Sequence, residues 1–154
     1  MSVSVGDSAP TFSAATDGDG KLDLAALKGR KVVLYFYPKD DTSGCTKEAC
    51  GFKEALPDFS KLDAEILGVS KDSVKSHDKF KAKYDLPFKL VSDEDGSICE
   101  DYGVWVEKSM YGRKYMGIER ATFLIDEDGV VQGVWRKVKV PGHVDAVLKA
   151  AQEL

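Results

Sequence analysis

The sequence predicts an α/β fold, a central mixed β-sheet with helices on both faces. Three observations carry that expectation. Residues Val32, Val33, Leu34, Tyr35, Phe36 and Tyr37 are all β-branched, leucine or aromatic and are closed by Pro38. Such a run is too short for a normal helix and apolar enough for a strand buried on both faces. Apolar residues then recur at Cys45, Ala49, Phe52, Leu56 and Phe59, at helical spacing. The strand–helix alternation repeats, and a late antiparallel pair, residues 121–125 and 130–137 across Asp128-Gly129, precedes a helix with Val144, Val147, Leu148 and Ala151 on one face.

In chain order, residues 12–16 and 21–24 flank Asp17-Gly18-Asp19-Gly20 and predict an N-terminal β-hairpin. A calcium loop is disfavoured there because the downstream glutamate spacing is absent. A short helical turn follows at 24–27, ended by Gly29. Residues 64–70 read as a second buried strand, with Asp72 and Ser73 as caps of a helix whose face carries Val74, His77, Phe80, Lys81 and Tyr84. Pro87 precedes a short strand at 88–91, and Cys99 falls in a short helix with Ile98 and Tyr102, where a buried structural thiol is expected. Residues 104–118, built around Gly112, suit a hairpin or long loop; core and edge packing is the expected role, with the lining of an apolar substrate pocket as the alternative. The motifs at 93–96 and 126–129 are shared turn chemistry, not a repeat.

At 154 residues a single domain, 1–154, is expected, large enough to bury a core without staples. Three cysteines are too few for a disulfide scaffold and suit a reducing compartment, so a cytoplasmic protein is predicted. No apolar stretch has the length to span a membrane. A net charge of −4 argues against nucleic acid, and Arg136, Lys137 and Lys139 read as an exposed strand face. His77 and His143 are far apart and lack acidic neighbours at ligand spacing, so neither a metal nor another cofactor is expected.

The chemistry concentrates where the strand meets the first long helix. Pro38 ends the strand, a polar loop follows, and Cys45 falls in the first helical turn, where free backbone N–H groups and the helix dipole favour a thiolate. A small buried hydrophobe is the plainer role for such a cysteine, but its neighbours point further. Thr42 can aim its hydroxyl at the sulfur, or at an atom the sulfur attacks, while capping the helix. Cys50, five residues on, is rotated by roughly 140° onto the polar side with Thr46, Lys53 and Glu54, and is predicted to be accessible. The pair is neither a Cys-x-x-Cys motif nor a common zinc spacing.

Pro38, Thr42 and Cys45 reproduce the Pro-x-x-x-Thr-x-x-Cys pattern and so resemble the active-site signature of the peroxiredoxins. The string from Tyr35 to Cys50 is similar to the bacterioferritin comigratory protein, or Q-type, subfamily, and the likeness continues through Ser92 to Gly103 and Glu119 to Asp126. One departure is Ser43, where the family often has proline; it bears on loop stiffness and not on the chemistry. The resemblance implies a thioredoxin-like fold and a thiol-dependent peroxidase acting on hydrogen peroxide and alkyl hydroperoxides. Cys45 would be the peroxidatic cysteine and Cys50 the resolving one, joined in an intramolecular disulfide. Thr42 and Arg120 would be catalytic, with Pro38, Thr42, Gly44 and Arg120 binding substrate. Thioredoxin or a similar dithiol would be the reductant, and the chain would act as a monomer. A thiol-disulfide oxidoreductase, or a non-enzymatic redox sensor or holdase, would use the same cysteines without peroxide turnover.

Overall fold

The computed structural model describes residues 3–154. Strands β1 (Ser13–Thr16) and β2 (Gly20–Asp23) form the N-terminal hairpin around a 3-10 turn. A second 3-10 turn, Leu24–Leu27, is capped by Asp23, whose carboxylate accepts the Ala25 N–H. Strand β3 (Lys31–Phe36), helix α1 (Ser43–Lys61), strand β4 (Ala64–Ser70), helix α2 (Val74–Tyr84), strand β5 (Lys89–Ser92) and the short helix α3 (Ser97–Asp101) follow. Strands β6 (Trp105–Met110), β7 (Arg113–Ile118), β8 (Ala121–Ile125) and β9 (Val131–Trp135) and helix α4 (His143–Gln152) complete the chain.

Seven strands make one sheet in the order β2-β1-β5-β4-β3-β8-β9, and β6 and β7 pair separately. The sheet is mixed, because β3 runs parallel to β4 on one side and antiparallel to β8 on the other. Flanked on both edges and covered on both faces, β3 is buried from Val32 onward, as its unbroken apolar run requires. Its side chains alternate between two cores. Val32, Leu34 and Phe36 pack with Cys99, Tyr102 and Phe123, whereas Val33, Tyr35 and Tyr37 pack with Cys45, Phe52 and Val147.

Helices cover the two faces unevenly. Phe52 of α1, Phe80 of α2 and Val147 of α4 share one core, while the other is closed by α3, the N-terminal segment through Val3 and Ala9, and the base of the β6–β7 pair at Val104 and Ile118. Helix α1 carries Pro57 in its interior, which removes one backbone donor from the last turn and a half.

Several sequence expectations are corrected. Strand β5 begins at Lys89, one residue late. Strand β9 ends at Trp135, so Arg136 does not stand on an exposed strand face; it turns inward, donating from Nε to Glu119 at 2.8 Å and from Nη2 to the Gly103 carbonyl at 2.6 Å. Residues 105–118 are a hairpin with a two-residue turn in which Tyr111 and Gly112 both have positive φ, 52° and 77°. Its middle neither packs in a core nor lines a closed pocket, since Met110, Tyr111, Tyr115 and Met116 are exposed.

Gly68 lets the centre of the sheet accept Tyr35: a Cβ at position 68 would lie 2.9 Å from the Tyr35 hydroxyl and 3.0 Å from Leu90 Cδ2. Gly68→Ala is expected to destabilise the protein by about 1–3 kcal/mol through overpacking. Urea unfolding of the two proteins measures this, and equal midpoints would show that the core can yield there.

Candidate active site

Cys45 is the third residue of α1 and is buried, its thiol facing the core beneath the C-terminal end of β3. Arg120, at the start of β8, donates from Nη2 to Cys45 Sγ at 3.3 Å and from Nη1 to Glu48 Oε1 at 2.7 Å. The guanidinium thus spans a thiol and a carboxylate that lie one helical turn apart on the same face of α1. Gly44 makes room for it, since a Cβ there would lie 3.1 Å from Arg120 Nη2. Glu119, next to Arg120, is fixed by Arg136, whose Nε donates to it at 2.8 Å.

Glu48 is fully buried, and its Oε2 has no hydrogen-bond partner. Burial pushes its carboxyl up to about 7, against the lowering effect of Arg120's charge and hydrogen bond. Burial also works against Arg120's own charge, but Glu48 and Cys45 outweigh it and hold its pKa above the ordinary value. Behind Glu48 lies His143, with Nε2 4.0 Å from Glu48 Oε2 and 2.7 Å from Thr122 Oγ1. Burial and then Arg120's charge press His143 down to about 4, so the ring is neutral at neutral pH. Trp135 packs edge-on against it, with centroids 6.0 Å apart.

The remaining expected site residues are placed as follows. Thr42 holds the N-cap position of α1, but its hydroxyl donates to the Lys39 carbonyl at 2.9 Å and does not cap the helix N–H groups, which corrects that part of the expectation. Pro38 is exposed two residues beyond the end of β3. Cys50 is half-buried on α1, and Gly51 beside it allows close packing of α4, since its Cβ would lie 3.1 Å from Val144 Cγ2. Cys99 is fully buried in the core on the opposite side of the sheet from Cys45. Burial and the Asp93 carboxylate push its thiol well above the ordinary range.

Sequence reasoning missed Glu48. Its spacing of three from Cys45 was the available signal, because it places a carboxylate on the apolar stripe, where none belongs without a cation. The expectation that neither histidine has acidic neighbours also fails. Asp40 and Asp72 surround His77, with ligand-type atoms within 4.8 Å of one another, although hydrogen bonds among themselves and with Ser70 engage them.

An open cleft of about 350 Å³ borders the exposed side of Arg120 and is lined by Val106, Lys108, Glu119, Lys137 and Val138. Burial and the charge of Arg120 hold the Lys108 amine below its usual value. A narrower cavity of about 110 Å³, lined by Leu24, Leu27, Val32 and Ile125, lies at the other end of β3 and contains no cysteine.

Comparison with known proteins agrees with this geometry. The model of the AhpC/TSA family matches residues 5–134. A curated Coxiella burnetii protein named putative peroxiredoxin bcp is 60% identical over 96% of this chain and 98% of its own. The chain belongs to the AhpC/TSA family and is a peroxiredoxin. Solved structures concur: a Xanthomonas campestris bacterioferritin comigratory protein, studied for its alkyl peroxide reduction activity, superposes with a TM-score of 0.89 at 50% identity, covering 92% of this chain and 90% of that one. A cysteine-to-serine mutant of Xylella fastidiosa PrxQ gives 0.94 at 41% identity, covering 99% and 98%. The thioredoxin-like architecture expected from the sequence is therefore the fold of this peroxiredoxin. None of its described helices is long and apolar enough to cross a membrane.

The buried carboxyl of this peroxiredoxin has a stability signature. Between about 4.5, its unfolded value, and about 7, its folded one, the folded chain holds a proton that the unfolded chain has released. Stability should therefore fall as pH rises through that window, by roughly 3 kcal/mol, and level off above it. Glu48→Gln should remove this component. Thermal melts of both proteins from pH 4 to pH 8 check it; parallel curves would mean that Glu48 is ionised throughout.

Proposed function

We propose that this peroxiredoxin reduces hydrogen peroxide and alkyl hydroperoxides at Cys45, with Arg120 and Thr42 as catalytic partners and Cys50 as the resolving cysteine. The observation that carries the reading is the single guanidinium donating to both Cys45 Sγ and Glu48. In the first step the Cys45 thiolate attacks the terminal oxygen of the hydroperoxide in line with the O–O bond. An S–O bond forms and the O–O bond breaks, its electron pair leaving on the alkoxide, which takes a proton to become the alcohol or water. Cys45 is thereby oxidised to the sulfenic acid. Arg120 supplies a fixed cation where negative charge builds on the departing oxygen, and its second link, to Glu48, keeps the fork from swinging away. Thr42, Gly44 and Pro38 belong to the turn that would receive the peroxide, and the Thr42 hydroxyl would exchange its bond to Lys39 for one to substrate.

The Cys50 thiol then attacks the sulfenic sulfur, forming the disulfide and releasing water. A dithiol such as thioredoxin returns both sulfurs to thiols by exchange. Cys50 is favoured over Cys99 because the full thickness of the sheet separates Cys99 from Cys45. Three cysteines, too few for a disulfide scaffold, favour a reducing, cytoplasmic setting, in which the chain would work as one monomeric domain without cofactor.

Single-turnover peroxide consumption tests the assignments. Cys45→Ser should abolish it, and Arg120→Met should slow it by about 10²–10³, the usual cost of one charge-stabilising donor. Cys50→Ser should retain a fast first step but accumulate the sulfinic form by mass. A Cys45–Cys99 bridge in peroxide-treated protein would overturn the choice of resolver.

Both cysteines lie inside α1. Helical positions five apart have Cα atoms roughly 8.6 Å from each other, from a rise of about 7.5 Å and a chord of about 4.3 Å. A disulfide needs about 4.4–6.8 Å. The first turns of α1 must therefore open before the bond forms, releasing backbone N–H groups to solvent. Amide exchange across residues 43–52 is expected to be faster in the oxidised protein than in the reduced one. Equal protection in a sample with the Cys45–Cys50 bond confirmed would refute the opening.

A further inference from the structure

The loop between β3 and α1 is held almost entirely by helix α2 and the turn before it. Asp40 is the fixed point. Its Oδ1 accepts the Tyr37 hydroxyl at 2.6 Å, and its Oδ2 accepts the Ser76 hydroxyl at 2.8 Å and faces His77 Nδ1 at 2.7 Å. Its own N–H donates to Asp72 Oδ2 at 2.8 Å. The next residue, Asp41, takes a left-handed backbone, φ 56°, and accepts from Lys83 Nζ and the Tyr84 hydroxyl. Thr42 follows directly at the end of the loop, and Cys45 lies three residues beyond it.

His77 is the buried member of this arrangement, with no exposed surface. Its second nitrogen, Nε2, lies 2.9 Å from the Val91 carbonyl of β5. A carbonyl oxygen can only accept, and so can an ionised carboxylate. Either neutral tautomer would therefore leave one bare ring nitrogen against an acceptor, whereas the imidazolium satisfies both. We propose that His77 is a positioning residue for the peroxide step, its doubly protonated ring holding Asp40 and, through Asp40, the loop that carries Thr42 to Cys45. The inference rests on the Cys45 cycle proposed above and adds to it a group that touches neither substrate nor sulfur.

The groups facing His77 are Asp40 from the loop, Asp72 from the turn before α2, the Tyr37 phenol from the end of β3 and the Val91 carbonyl from β5. Burial opposes its charge, but the hydrogen bond and charge of Asp40, then Val91 and Asp72, raise its pKa above the ordinary 6.5. A histidine with a raised folded pKa contributes stability that is complete below the unfolded value and is lost as pH rises through the folded one. The anchor's histidine side is thus complete below the ordinary histidine value and weakens as pH rises through the raised folded one. Weakening it should disfavour the arrangement that meets peroxide and favour the opened one that makes the disulfide, because the loop and the first turn of α1 are one continuous segment.

Two measurements test this. Nitrogen NMR of the reduced wild type should show His77 with both ring nitrogens protonated at pH 7; a neutral ring there overturns the proposal and needs no variant. Stopped-flow kinetics on His77→Gln and Asp40→Asn should separate the two chemical steps, with sulfenic acid formation slowed about tenfold by misplacement and disulfide formation faster than in wild type. Hyperoxidation at a fixed peroxide dose should fall accordingly. Should His77→Gln not fold, Tyr37→Phe removes one Asp40 donor and carries the same comparison. A general loss of structure would slow both steps together, and that result, or no change in either, rejects the positioning role. Wild-type protein that fails to react with peroxide would instead sink the peroxidase reading before any variant is compared.

Discussion

The contact on which the site depends is the Arg120 fork. One cation meets two buried groups, the Cys45 thiol and a carboxyl with no exposed surface. The carboxylate could not stay charged inside the protein alone without a large penalty. Arg120 can hold both because three elements agree on its place: β8 pairs with the central strand, Gly44 leaves a gap in the first turn of α1, and Glu119 is pinned by Arg136. The cost of this arrangement falls on Glu48, whose carboxyl sits between its charged and neutral forms near neutral pH.

Much of this architecture was legible in the residues. The run from Val32 to Tyr37 could only be a strand covered on both sides, and the spacing from Cys45 to Phe59 could only be a helix lying on it. Local chemistry also marked the hairpin of residues 12–24, Asp72 and Ser73 as candidate caps of α2, and Gly112 as the centre of a hairpin or long loop. Cys45 and Arg120 were legible through the family pattern, and the structure brings them into contact although they are 75 residues apart.

What escaped was polar and buried. Glu48 drew no notice, since periodicity marks apolar residues and says nothing of a carboxylate whose cation arrives from a distant strand. His77 looked like a packing residue because Asp40 lies 37 positions away, and only the folded chain brings them together. Arg136 was misjudged for the same reason, with Glu119 and Gly103 both supplied by tertiary structure. The β6–β7 hairpin failed differently. Its aromatic and methionine content suggested burial, yet paired strands satisfy their backbone without any core to cover them, and their side chains stay in water.

The contact of Trp135 with His143 has an optical consequence. Gly133 permits it, because a Cβ at that position would lie 2.8 Å from the indole ring, so the ring folds back over its own strand and is fixed edge-on to the imidazole. A protonated imidazole quenches indole emission, but His143 stays neutral until about pH 4. The intrinsic emission of Trp135 is therefore insensitive to this neighbour's protonation across the neutral range. Changes in that signal during turnover then report movement of the α4–β9 corner and are not an acid–base artefact of the adjacent ring.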